Sequence, residues 1–210
     1  MTTHPAQYPT LPNFGGASER RALLAGITFL DLTDTALPDL PTVAQWFDEH
    51  VVAAGCAPRL SVLLEPPTRS VALRPTGGAV ARAGEDLPRL VAMARTRVVN
   101  ALQGLIDAPS DDRFLRAAIF LGRARRCEGR WVARPEATAP LSAIVLSLFA
   151  VAILSDRAFY DRELCVCDTC GRVGFDHTPA MRYTCPAHAA RVSGVTRVTD
   201  GGPSRRRTAS

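Results

Sequence analysis

The spacing of apolar residues along the 210-residue chain changes several times. Leu87, Leu90, Val91, Ala94, Val98, Ala101, Leu102 and Leu105 recur at steps of three and four, which lays one apolar stripe along a helix. A second helix is expected from Ser110, whose hydroxyl can cap it, to about Arg126, with Asp111 and Asp112 at the positive end of its dipole. Pro140 opens a third, almost wholly apolar one (APLSAIVLSLFAVAIL, 139–154), which extends through SDRAFYDRE to Glu163. Earlier, ASERRALLAG (17–26) reads as a short helix, and GITFLDL (26–32) alternates like a strand. Residues 41–54 read as a helix with Pro41 in the first turn, Gly55 past the end, and Val43, Trp46 or Phe47, and Val51 facing inward. RLSVLLE (59–65) and RSVALRP (69–75) are β-like and joined by PPT in a candidate hairpin. GGAVARAGE (77–85) reads as a loop, and CEGRWVARPEAT (127–138) as a connector with at most one short strand.

The pattern predicts a mainly α fold with a small β element early in the chain: a helical bundle over 17–163. Residues 1–16 and 195–210 are rich in Pro, Gly, Ser and Thr and read as a disordered N-terminal tail and a flexible basic tail. The apolar run at 139–154 is about two residues short of the ~18 that mark a membrane span, so it is expected to be a buried core helix. MTTHPAQYPTLPN lacks the basic and apolar regions of a secretory leader, which points to the cytoplasm.

Charge changes this picture little. The net charge is +5, all basic residues are Arg, and Arg205, Arg206 and Arg207 supply three of those charges. The folded part is therefore near neutral. Arg113, Arg116, Arg123 and Arg126 would fall within about 140° of one face of a continuous helix. With Arg130 and Arg134 they could follow a phosphate backbone, or simply form a solvated face beside acidic neighbours.

Chemistry concentrates in residues 165–188, CVCDTCGRVGFDHTPAMRYTCPAH, which hold four of the six cysteines and two of the four histidines. Cys167, Cys170, Cys185 and His188 follow the spacing C-x2-C-x14-C-x2-H. Two residues between ligands let both side chains of a pair turn toward one ion, and three thiolates with an imidazole suit tetrahedral Zn(2+). Cys165 could replace Cys167, and His177 could replace His188. A four-thiolate set of Cys165, Cys167, Cys170 and Cys185 would instead suit an iron–sulfur cluster. GRVGF and MRYT are expected to pair across a DHTPA turn, and a helix from Pro186 would hold Cys185 and His188 on one side. The result would be a zinc-ribbon or treble-clef finger over 164–194. Four protein ligands close the metal's shell, so the role reads as structural, with the metal supplying folding free energy that so short a segment lacks.

No catalytic residue is assigned. Asp31 and Asp34 form the one tempting carboxylate pair, and capping or a turn explains them equally well. Within the finger Arg172, Arg182 and Arg191 are candidate nucleic-acid contacts; Tyr183 and Phe175 could stack on bases or form the core of a hairpin.

Cys165-x4-Cys170-Gly171, Phe175, Asp176, Arg182 and Cys185 fall in an order that resembles bacterial proteins with a CGNR-type zinc finger, whose helical N-terminal domain is called ABATE. FLDLTDTALPDLPTVAQWF (29–47) is similar to that family's opening, an L-D-x-x-N-T element before a helix carrying Trp. Thr33-Asp34-Thr35 stands in place of Asn-Thr, the CGNR tetrapeptide is absent, and CPAH stands where the last pair would be. The resemblance implies a DNA-binding transcription regulator. The competing expectations are a zinc-stabilised protein-interaction or scaffold module without nucleic acid, acting on a protein partner or as a homo-oligomer, and then an enzyme binding a small molecule.

Overall fold

A computed structural model describes residues 16–35, 39–52, 62–64, 69–72, 80–81, 87–134, 139–175 and 183–189. It is mainly helical, with small antiparallel sheets. Helix α5 (Leu141–Ser155) forms the centre. Nearly every residue from Ile144 to Ile153 is buried, so this helix shows no amphipathic stripe; it is apolar all round because neighbours cover it all round. Its buried Ser147 remains compatible with that setting by donating to the Ala143 carbonyl at 2.6 Å. At Asp156 the chain bends by 108° into α6 (Arg157–Glu163), and the Asp156 side chain accepts a hydrogen bond from the Phe159 N–H. Among the described residues no single helix is long and apolar enough to cross a membrane.

Helix α1 (Ala17–Thr35) packs along α5. The strand expected over 26–32 is therefore a correction: those residues continue the helix. Ile27 and Phe29 alternate with Thr28, but every residue from Ala25 to Leu30 is buried, and Thr28 satisfies its hydroxyl by donating to the carbonyls of Leu24 and Ala25. Gly26 permits the close approach of the two helices, because a Cβ there would lie 2.7 Å from Phe149 Cε2. Helix α2 (Leu40–Trp46) runs directly into a wider π turn (Phe47–Val52), which allows adjacent Trp46 and Phe47 both to turn inward, alongside Val43 and Val51. The Trp46 indole donates to the Ala25 carbonyl at 3.0 Å, tying this arm to α1.

Helix α3 (Leu87–Asp107) follows the predicted stripe, with Val91, Ala94, Val98, Leu102 and Leu105 buried. β1 (Val62–Leu64) pairs with β2 (Arg69–Ala72), as the hairpin reading expects, and β2 also pairs with β3 (Val80–Ala81) inside the stretch read as a loop. The PPT turn lies outside the described residues.

The expected helix from Ser110 to Arg126 is corrected in both bounds. α4 covers only Arg113–Phe120, Asp112 rather than Ser110 precedes it, and no side-chain cap forms. Gly122, at φ +66, ends the segment, and the chain enters a second ribbon, β4 (Ala124–Cys127) and β5 (Arg130–Ala133). Their two-residue turn, Glu128-Gly129, has φ of 51 and 80, matching the positive-φ turns whose twist suits hairpins. The four arginines read as one helical face are consequently divided: Arg113 and Arg116 lie on α4, Arg123 in the turn after it and Arg126 on the ribbon.

Candidate metal centre

The chain leaves α6 through Leu164 into β6 (Cys165–Val166), which pairs with β7 (Val173–Gly174). The loop of this hairpin is the Cys167–Arg172 knuckle, closed by Cys167 N–H to the Arg172 carbonyl at 2.8 Å and Gly171 N–H to the Cys167 carbonyl at 2.7 Å. Gly171, at φ +68, completes the turn in a conformation that costs other residues strain. The hairpin therefore spans the first cysteine pair, where the sequence reading expected GRVGF to pair with MRYT. Met181, Arg182 and the DHTPA turn lie outside the described residues, and Tyr183–Thr184 are not strand. A single helical turn over 186–189 carries the second pair, with the N–H groups of His188 and Ala189 both donating to the Cys185 carbonyl.

These two pieces bring Cys167, Cys170, Cys185 and His188 together, with their ligand atoms all within 4.8 Å of one another. Cys170 Sγ lies 3.6 Å from Cys185 Sγ, and His188 Nδ1 lies 3.8 Å from Cys167 Sγ and 3.2 Å from Cys185 Sγ. A tetrahedral ion with ordinary metal–sulfur and metal–nitrogen bonds has sulfur–sulfur edges of about 3.8 Å and sulfur–nitrogen edges of about 3.6 Å. The set can hold a metal ion. No disulfide links the described cysteines, and a 3.6 Å separation is far beyond a sulfur–sulfur bond. The three thiols are buried and His188 is half-buried. Cys165 is buried in β6 and does not belong to this group, while His177 lies outside the described residues.

The two knuckle thiols differ in protonation. Burial pushes Cys167 up, but the backbone N–H groups of Cys185, Cys170 and Thr169 aimed at its sulfur outweigh that and bring it down to about 6. Cys170 is pushed up to about 12 by burial, with the neighbouring Cys185 and Cys167 sulfurs adding to the rise against one opposing N–H from Arg172.

Contacts to the helical body make this segment part of the fold. Val166 and Val173 belong to the main core, and Phe175 lies against Phe159 and Tyr160 with ring centres 6.2 and 6.0 Å apart. Phe175 is thus core-packed, and Tyr183 packs on the cysteine cluster with its ring over Gly174. From α3, the Arg95 guanidinium donates to the carbonyls of Cys170 and Leu30, and Val99 sits against Gly171. Arg172 is half-buried and faces Asp31 of α1 at 3.6 Å. Arg182 and Arg191, the other candidate nucleic-acid contacts, lie outside the described residues. Sequence reasoning missed Arg95 altogether and missed Asp31 as the partner of Arg172, because each acts across more than sixty intervening residues and neither belongs to a motif. No family model, curated protein or solved structure matches this chain.

Proposed function

We propose that Cys167, Cys170, Cys185 and His188 bind one zinc ion as a closed structural site, and that the chain it stabilises is a DNA-binding transcription regulator. The observation that carries the metal reading is the convergence of three buried thiols and one imidazole at spacings near tetrahedral edges. Three sulfurs and a nitrogen are a common zinc donor set, whereas the usual iron–sulfur centre takes four thiolates. Four protein donors leave no position for a reacting water, so the ion's work is to hold the 186–189 turn against the knuckle, which itself meets α3 and α1. The DNA reading is supported by a residue order that resembles that of CGNR-type finger proteins and by the five arginines within residues 123–134.

The test is metal content by mass spectrometry together with binding of the zinc-loaded chain to duplex DNA over a range of salt. One zinc per chain and an affinity that falls steeply with salt are expected. Absence of DNA binding even at low salt would remove the regulator reading.

A second reading, a zinc-stabilised protein-interaction module, is favoured by one feature. Ile119, Phe120 and Leu121 at the end of α4 are consecutive exposed apolar residues, and Phe120 is 89% exposed. In that case Phe120→Ser would abolish self-association or partner capture and leave the zinc content unchanged.

A further inference from the structure

We infer that the DNA-contacting surface of this chain is the β4–β5 ribbon rather than the cysteine finger; the inference rests on the regulator reading and deepens it. Residues 123–134, RARRCEGRWVAR, hold five arginines and one acid. The ribbon is rooted in the body: Ala124 and Ala133, a cross-strand pair, are buried, and Trp131 packs on the core. Beyond that root Arg125 and Arg126 of β4 and the tip at Glu128, Gly129 and Arg130 are exposed. Arg125, Arg126, Arg130 and Arg134 are exposed, and the Arg125 guanidinium folds back on the Gly122 carbonyl at 3.0 Å. Among the described residues Arg126, Arg130 and Arg134 form no ion pair, whereas Arg113 and Arg116 on α4 are held by Asp111 and Asp112 at 2.6 Å.

A polyanion is the partner this arrangement fits. Two paired strands are narrow enough to enter the DNA major groove, which is about 12 Å wide, and arginines on both strands can then reach both phosphate walls. The described surface of the finger offers no comparable charge. Its exposed residues are Asp168, Thr169, Thr184, Pro186, Ala187 and Ala189, and its one described arginine, Arg172, is half-buried opposite Asp31. An anionic membrane fits less well, because the ribbon's tip carries Glu128 and Gly129 where a membrane-inserting element would carry apolar side chains.

The experiment measures fluorescence anisotropy of a mixed-sequence duplex of about 30 base pairs, titrated with the full zinc-loaded chain between about 50 and 200 mM salt. Three proteins are compared: the wild type, Arg126→Ala/Arg130→Ala, and Arg21→Ala/Arg89→Ala. The last pair removes the same charge from exposed positions off the ribbon. Zinc content and thermal melting check that all three are folded. The ribbon variant is expected to lose roughly tenfold or more in affinity per arginine at the lowest salt, and to flatten the log–log salt slope by about 0.9 per arginine. The control should keep the wild-type slope. Equal binding by ribbon variant and wild type would overturn the ribbon as the contact surface and leave the regulator reading standing. No binding by the wild type would overturn both, and sedimentation of the chain with phosphatidylserine vesicles would then mark a membrane surface as the partner.

Discussion

Helix α5 and the cysteine knuckle are both buried, and they reach burial by opposite means. In α5 the buried residues are apolar on every side save Ser142 and Ser147, and removal of that apolar surface from water holds the helix in place. Among the described residues the knuckle hairpin uses Val166, Val173 and Phe175 for that purpose, and around its tip it buries three thiols with Tyr183 packed on them. Thiols brought this close in an apolar setting are a poor core by themselves: Cys170 keeps its proton while Cys167 tends to lose its own. The proposed shared cation would turn that clustering from a cost into an attraction. On the zinc reading, one chain contains a region whose stability is set by area and another whose stability is set by coordination, joined by a seam of Arg95, Val99, Arg172 and Asp31.

Ligand removal gives the largest test of this contrast. Cys185→Ser should reduce bound zinc from one per chain to near none, forfeiting binding free energy on the order of 10–16 kcal/mol as found for structural zinc sites. Hydrogen exchange should then speed up over 167–172 and 183–189 while amides of α5 stay protected. Equal loss of protection in α5 would show that the two regions are a single cooperative unit.

The reciprocal change is Phe149→Ala, which empties the centre of the core. It should cost about 3–5 kcal/mol and lower the melting temperature, with zinc still bound one to one. Next comes Gly26→Ala, whose new methyl would meet the Phe149 ring at 2.7–3.0 Å. Overpacking of about 1–3 kcal/mol should outweigh the gain in helix propensity of about 1 kcal/mol, giving a small net drop in melting temperature.

Gly171→Ala probes the seam. Positive φ costs about 1–2 kcal/mol, and the Cβ would lie 2.8 Å from Val99 Cγ2. Release of zinc to a chelator should accelerate, and adding Val99→Ala should restore only the steric part.

Acid supplies the gentlest perturbation. The metal-bound form needs deprotonated thiols, so lowering pH favours release. At pH 7 Cys170, raised to about 12, must give up a proton on binding, whereas Cys167, lowered to about 6, is largely thiolate already. Affinity should therefore fall by at least about tenfold, or about 1.4 kcal/mol, per pH unit near neutrality on account of Cys170 alone, and more steeply below pH 6 as Cys167 also protonates. Competition titrations with a chelator at several pH values would reveal a slope shallower by one proton if Cys170 had already lost its proton.

Much of this could be read in the sequence, for a local reason in each case. The α3 stripe is a period of three and four, and the β1–β2 pair lies within one short stretch. The ligand set is two short spacings, because a knuckle and a helical turn each place two donors by backbone geometry alone. The errors have the opposite origin. Residues 26–32 alternate like a strand in sequence, but packing against α5 buries every residue from Ala25 to Leu30, so the alternation marks no exposed face. The run from 110 to 126 reads as one helix because Gly122 and the Glu128-Gly129 turn, which convert its end into a ribbon, are weak signals beside a string of good helix formers.

Composition and spacing alone thus specified a mainly helical chain and four metal-ligand candidates, since both depend on residues a few positions apart. Packing selected Cys167 over Cys165, set Arg172 against Asp31 and carried the arginines of 123–134 out on a ribbon. Those outcomes depend on which distant surfaces meet, and the meeting of distant surfaces is settled by the burial of the whole core.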